Sequence, residues 1–99
     1  MIVDRFQFTV VRGFGNLSKA ADMMAEDVKR NGFTGRVLVP NVAPMNTFVL
    51  EVEYENIVER ERLLDEWLDT PRMVKFSEEF DELVEPGSPH EIWTVKATF

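Results

Sequence analysis

The sequence predicts an α+β sandwich in which a four-stranded antiparallel sheet carries helices on one face. Three observations lead there. Several stretches alternate apolar and polar residues with period two, as half-buried strands do. Others repeat apolar residues at helical spacing. These elements follow one another as strand, helix, strand, strand, helix pair, strand.

The first strand runs from Ile2 to Arg12, with Phe6, Phe8 and Val10 on one side and Arg5, Gln7 and Thr9 on the other. Gly13 and Gly15 break it, and the Gly13–Asn16 segment reads as a flexible turn because it lacks the third glycine and later acid of a dinucleotide fingerprint. Asn16 or Ser18 is placed to cap a helix carrying Leu17, Ala20 or Ala21, Met24 and Val28. Lys29 and Arg30 suit its last turn, and Asn31-Gly32 its stop. Arg36–Pro40 is a short β-branched strand, and Asn41–Pro44 a Pro-bounded connection. Asn46–Tyr54 alternates most clearly, with Phe48, Leu50, Val52 and Tyr54 against Thr47, Val49, Glu51 and Glu53. Asn56 with Glu59 three residues on forms a capping box, ahead of a helix turning Ile57, Leu64, Trp67 and Leu68 inward. Thr70-Pro71 interrupts it, and the stripe Met73, Phe76, Phe80, Leu83 and Val84 belongs either to a kinked continuation or to a new helix capped by Thr70. Pro86–Pro89 ends it, and residues 91–99 alternate as a last strand.

This order divides near residue 44 into two βαβ-like halves, the split-βαβ or ferredoxin-like arrangement. The more apolar set, Phe6, Phe8, Val10, Phe48, Leu50, Val52, Trp93 and Val95, is assigned to the helix-covered face. Arg5, Gln7, Thr9, Val11, Thr47, Val49, Glu51, Glu53, Ile92, Thr94 and Lys96 go to the open face, which is suited to water or to a second copy of itself. In such a pair Arg5 or Lys96 would answer Glu51 or Glu53. A one-residue slip would exchange the faces of any strand.

Composition narrows the function. The 99 residues suit one domain spanning 1–99. Without cysteine there is no disulfide, no thiol nucleophile and no Cys-based metal site. Asp4 and Arg5 inside the first apolar stretch mark it as a strand rather than a signal peptide. With no apolar run of about 18 residues, no membrane span is expected, and the cytoplasm is the expected location. The net charge of −7 is uneven, +2 over residues 1–50 and −9 over 51–99. That balance argues against nucleic acid, which needs clustered Lys and Arg. An RNA-recognition domain would also need aromatics on the open face, where none is assigned.

The runs Gly35-Arg36-Val37-Leu38-Val39-Pro40, Asn46–Tyr54 (NTFVLEVEY) and Pro89-His90-Glu91-Ile92-Trp93-Thr94-Val95 resemble NIPSNAP-like members of the dimeric α+β barrel superfamily, over nearly the whole chain in element order. The resemblance implies a homodimer whose two sheets face each other and close a barrel. It also implies a ligand cleft between sheet and helices. The superfamily includes cofactor-independent monooxygenases, heme-degrading enzymes and muconolactone-isomerase-like proteins. A heme-degrading member would present an Asn on the first strand and a His in the second helical region; here stand Gln7 and, before the last strand, His90. No cofactor is therefore expected.

Among candidate catalytic residues, His90 is the only imidazole and a possible general base, although a histidine after Pro89 in a turn is more commonly an exposed loop residue. Arg36 and Glu51 suit either the positioning of a polar substrate or pairing that sets the register of a dimer. Phe8, Phe48, Trp67 and Trp93 are the candidate ligand-binding residues, with plain core as the competing role. Glu59, Glu61, Asp65, Glu66 and Asp69 lack a Ca²⁺-loop spacing and read as a solvated helix face, so no metal is expected. The leading expectation is a homodimer binding a small apolar or aromatic molecule in a sheet–helix cleft. The alternatives are a cofactor-independent monooxygenase or isomerase, and a structural or partner-binding module using the acidic helix 56–69.

Overall fold

A computed structural model describes residues 1–99. Its elements are β1 (Ile2–Thr9), α1 (Asn16–Arg30), β2 (Thr34–Leu38), β3 (Thr47–Tyr54), α2 (Ile57–Leu68), α3 (Pro71–Asp81) and β4 (His90–Thr94). The strands form one sheet in the order β2-β3-β1-β4, every pairing antiparallel. This is the predicted α+β, ferredoxin-like βαββαβ topology.

β3 keeps its predicted phase: Phe48, Leu50, Val52 and Tyr54 are all buried under the helices. Its pairing with β1 sets Phe6 opposite Leu50 and Phe8 opposite Phe48, so the β1 aromatics join the same face. Ala20, Ala21 and Met24 bring α1 onto this layer, and Phe80 brings α3. The Ala pair lets the α1 backbone approach closely, while the aromatic residues fill the volume left between helices and sheet.

Two helix ends depart from expectation. The N-cap of α1 is Gly15, whose φ of 79° needs glycine; Asn16 instead turns its amide back to the Val11 carbonyl at 3.1 Å. At α3, Thr70 occupies the N-cap position, but its hydroxyl donates to the Trp67 carbonyl at 2.9 Å rather than capping the helix. The α2 cap follows the sequence, with the Glu59 N–H donating to Asn56 Oδ1 at 2.9 Å. The apolar stripe of α2 is shallower than its spacing implies. Ile57 and Leu68 are exposed, and Leu63 rather than either of them packs against the core.

β4 gives the largest correction. It spans His90–Thr94, not 91–99, because β1 has no residues left to pair: Thr94 faces Ile2, and the Val95 N–H makes its bond to the Met1 carbonyl at 3.1 Å. Its phase is also the reverse of that predicted. His90 lies opposite Phe6 and Ile92 opposite Asp4, so both lie on the helix-covered side, while Trp93, opposite Val3, lies on the open face and is 56% exposed. A strand apolar on both sides cannot be phased by alternation; the bonds to β1 decide it. Val95, expected in the core, lies beyond the strand.

Phe48→Ala should lower the unfolding free energy by about 3–5 kcal/mol in urea denaturation, as truncation of a buried aromatic does. Gly35→Ala should cost about 1–3 kcal/mol by overpacking, since its Cβ would run into the Glu51 carbonyl of β3. Unchanged midpoints would contradict the β2–β3 packing.

Candidate functional site

The polar centre of the helix-covered face is Asp4, a residue whose position inside an apolar strand is visible in the sequence and whose role is not. It is in phase with Phe6 and Phe8, and it is wholly buried. A carboxylate there loses its hydration and must find donors inside the protein. Arg60, at the end of the first turn of α2, donates from Nε to Asp4 Oδ2 at 2.8 Å, and its side chain is only 13% exposed. The other oxygen, Oδ1, meets Nε2 of His90. The His90 ring also lies flat on Phe6, with centroids 4.3 Å apart and planes 3° from parallel, while its side chain keeps 37% exposure. A buried acid and an aromatic ring thus hold a half-exposed imidazole from two sides.

Tyr54 lies on the same face, across β1 at the Ile2 position. Burial, reinforced by the negative charge of Asp4 and opposed by Arg60, pushes its pKa up from 10.0 to about 12. The folded state thus holds this proton more tightly than the unfolded chain. The associated stability is whole below pH 10 and is lost as pH rises towards 12.

Beyond Phe6 on the same face, Phe8 lines a cleft of about 510 Å³ together with Met24, Phe80, Asp81, Val84 and the loop of residues 85–88. Backbone bonds hold this wall against the end of β1: the Val11 N–H donates to the Leu83 carbonyl at 2.8 Å and the Glu85 N–H to the Thr9 carbonyl at 2.7 Å. Phe8 makes ring contacts with Phe48 at 5.1 Å and, edge-on, with Phe80 at 5.2 Å.

The residues singled out from sequence do not converge. Phe8 lines the cleft, with Phe48 directly behind it in the core. Trp67 sits at the other end of the helix layer, edge-on to Phe33 and donating its indole N–H to buried Asp27 at 2.8 Å. Trp93 is on the opposite side of the sheet. Arg36 and Glu51 are also on that open face, bonded at 2.7 Å, and His90 is not with them. They belong to a row of alternating charge crossing all four strands, in which Glu51 also meets Arg5 at 3.4 Å and Arg5 meets Glu91 at 3.3 Å. The Arg5–Glu51 pairing expected between copies is therefore made within one chain. Along α2, Arg62 bonds Glu59 and, at 2.9 Å, Glu66, so these acids lie in helix pairs as their spacing suggests. No three or more His, Asp or Glu side chains gather around a possible metal position.

No family model and no curated protein matches this sequence. Solved structures do match. Atu4242 from Agrobacterium tumefaciens superposes with a TM-score of 0.77 at 14% identity, covering 95% of this chain and 92% of that one. An uncharacterised NIPSNAP domain protein from Burkholderia xenovorans gives 0.73 at 14% identity, over 100% and 97% of the two chains. The chain has the NIPSNAP-type fold. SnoaB from Streptomyces nogalater, a cofactor-independent oxygenase, shares that fold too, at 0.69 and 19% identity over 98% and 94%. At these identities the likeness is one of fold, and the chemistry must be read from the side chains.

Arg60→Met keeps the side-chain stem but leaves Asp4 buried without its cation. The unfolding free energy should fall by about 3–5 kcal/mol, as removal of one partner from a buried pair does. The double change Asp4→Asn/Arg60→Met should recover part of that loss in the same urea assay. A separate check uses the only tyrosine in the chain. Its phenolate absorbance should titrate near pH 12 in the folded protein, and Asp4→Asn should bring the midpoint down. A wild-type midpoint near 10 would show that Tyr54 is neither buried nor near Asp4.

Proposed function

We propose that the protein is a homodimer that binds a small apolar or aromatic molecule in the cleft between its sheet and its helices. The cleft lined by Phe8, Met24, Phe80 and Val84 carries this reading. Asp81, Glu85 and Ser88 share the lining with these apolar side chains, a mixture that suits a largely apolar ligand carrying a few polar groups. Self-association is supported by the open face, where Trp93 is exposed beside Val3 and the charge row ends in exposed Arg36 and Glu91. No helix is long and apolar enough to cross a membrane. A cytoplasmic location is part of the proposal.

A second reading, a cofactor-independent monooxygenase or isomerase, is favoured by one observation: the half-exposed imidazole fastened to a buried carboxylate. Groups held in this way are common where protons are transferred.

Native mass spectrometry should give twice the 11.5 kDa chain mass, and Trp93→Glu should shift the population to monomer while the circular dichroism spectrum stays folded. Nile red should bind with enhanced fluorescence. Phe8→Ala and Val84→Arg should each weaken it about tenfold or more, equivalent to about 1.4 kcal/mol, whereas Trp93→Glu should leave the affinity per chain unchanged. Folded cleft variants that bind the dye like wild type would remove the cleft as the site.

A further inference from the structure

A second cleft, of about 350 Å³, lies between α1 and α3 and shares no lining residue with the cleft at Phe8. Met23, Glu26, Asp27 and Arg30 line it from α1; Arg72, Lys75, Phe76 and Glu79 line it from α3. Both sets follow the spacing i, i+3, i+4, i+7, so each helix turns one face to the cleft. Six of these side chains are charged, three of each sign, and none of the six forms an ion pair. The ion pairs of the chain lie elsewhere, around Glu51, Asp4, Arg60 and Arg62.

Five of the six charged residues are exposed, and water serves them there. Asp27 differs, being only 4% exposed. Its Oδ2 accepts the Trp67 indole N–H at 2.8 Å, and its main-chain carbonyl accepts from the Asn31 amide at 2.7 Å. Oδ1 accepts nothing from the chain. No unbonded polar side-chain atom of a buried residue is sealed from the outside, so Oδ1 opens on the cleft that Asp27 lines. A carboxylate so deeply placed needs donors on both oxygens, and this one has a donor on one. Trp67, held edge-on against Phe33, fixes which oxygen is taken and which is left.

The strongest donor for Oδ1 is a cationic N–H. A plain cation would enter beside Arg30, Arg72 and Lys75, and a plain anion would meet Glu26, Asp27 and Glu79. A molecule with both charges satisfies both sets. Met23 and Phe76 are half-buried, and Phe76 is stacked on Phe80 at 5.1 Å, so they offer a firm apolar wall for the rest of such a molecule.

We propose that the cleft between α1 and α3 binds a small zwitterion with an apolar side chain, the α-amino acid class. Its ammonium donates to Asp27 Oδ1, its carboxylate faces Arg30, Arg72 and Lys75, and its side chain lies on Met23 and Phe76. Trp67 is the positioning residue, acting through Asp27. This site does not depend on the cleft at Phe8 holding a ligand.

The test titrates the intact ¹⁵N-labelled protein with L-phenylalanine and follows the two tryptophan indole N–H signals, assigned with Trp93→Phe. L-Phenylalanine should move the Trp67 signal saturably, leave that of Trp93 in place and leave bound Nile red undisturbed. Phenethylamine, which lacks the carboxylate, and 3-phenylpropionate, which lacks the ammonium, should each bind about tenfold more weakly or worse. Asp27→Asn, which keeps an acceptor for Trp67, should weaken L-phenylalanine by a similar factor. So should Arg72→Gln/Lys75→Gln, a pair of exposed positions whose change leaves the fold intact. A Trp67 signal that stays fixed up to the solubility limit of L-phenylalanine overturns the proposal, and Asp27 is then an acceptor for Trp67 alone. Phenethylamine or 3-phenylpropionate binding as tightly as L-phenylalanine overturns the zwitterion assignment. Displacement of Nile red, or wild-type affinity in folded Arg72→Gln/Lys75→Gln, overturns the placement between α1 and α3.

Discussion

β1 is hydrogen-bonded along both edges, to β3 from Ile2–Tyr54 to Thr9–Thr47 and to β4 from Ile2–Thr94 to Phe6–His90, and this double pairing assigns the residues of these three strands to a face. Side chains alternate across a strand, so one shared register phases three strands at once. Phe6 and Phe8 draw Leu50 and Phe48 beneath the helices, and the same bonds bring His90 to that side and send Trp93 to the other. The short length of β4 has the same origin. It ends where β1 begins.

Placing Asp4 on that strand creates the main electrostatic demand of the fold. A wholly buried carboxylate is tolerated only with strong donors, and two distant segments supply them: α2 through Arg60 and the start of β4 through His90. The ion pair therefore spans 56 residues of sequence, and the contact with His90 spans 86. One side chain ties the first strand to the helix above it and to the strand beside it. The cost extends to Tyr54, whose hydroxyl is kept neutral by burial and by the same negative charge.

The two faces of the sheet divide the remaining chemistry. Beneath the helices lie the clustered aromatic residues around Phe8, Phe48 and Phe80, the cleft and the buried acid. On the open face, Arg36, Glu51, Arg5 and Glu91 neutralise one another across the strands beside an exposed Trp93. A row of internally paired charges makes a face less costly to cover than isolated charges would be, because the charges keep partners when water leaves.

Much of the architecture was legible in the chain itself. Period-two alternation placed β1 and β3, helical spacing placed α1 and α3, Asn56 and Glu59 marked the start of α2, and the element order specified the topology. These signals are local, and the local chemistry that produces them survives in the fold. Tertiary structure decided what local pattern leaves open. The phase of β4 followed from bonds to β1, because Ile92 and Trp93 are both apolar and alternation cannot choose between them. Asn16 gave up its capping role for a carbonyl five residues back. Asp4 stood in the sequence as a lone acid among apolar residues, a visible irregularity. Its partners, at positions 60 and 90, lie on segments that only folding brings beside it, and so the site was decided by three-dimensional proximity and not by spacing.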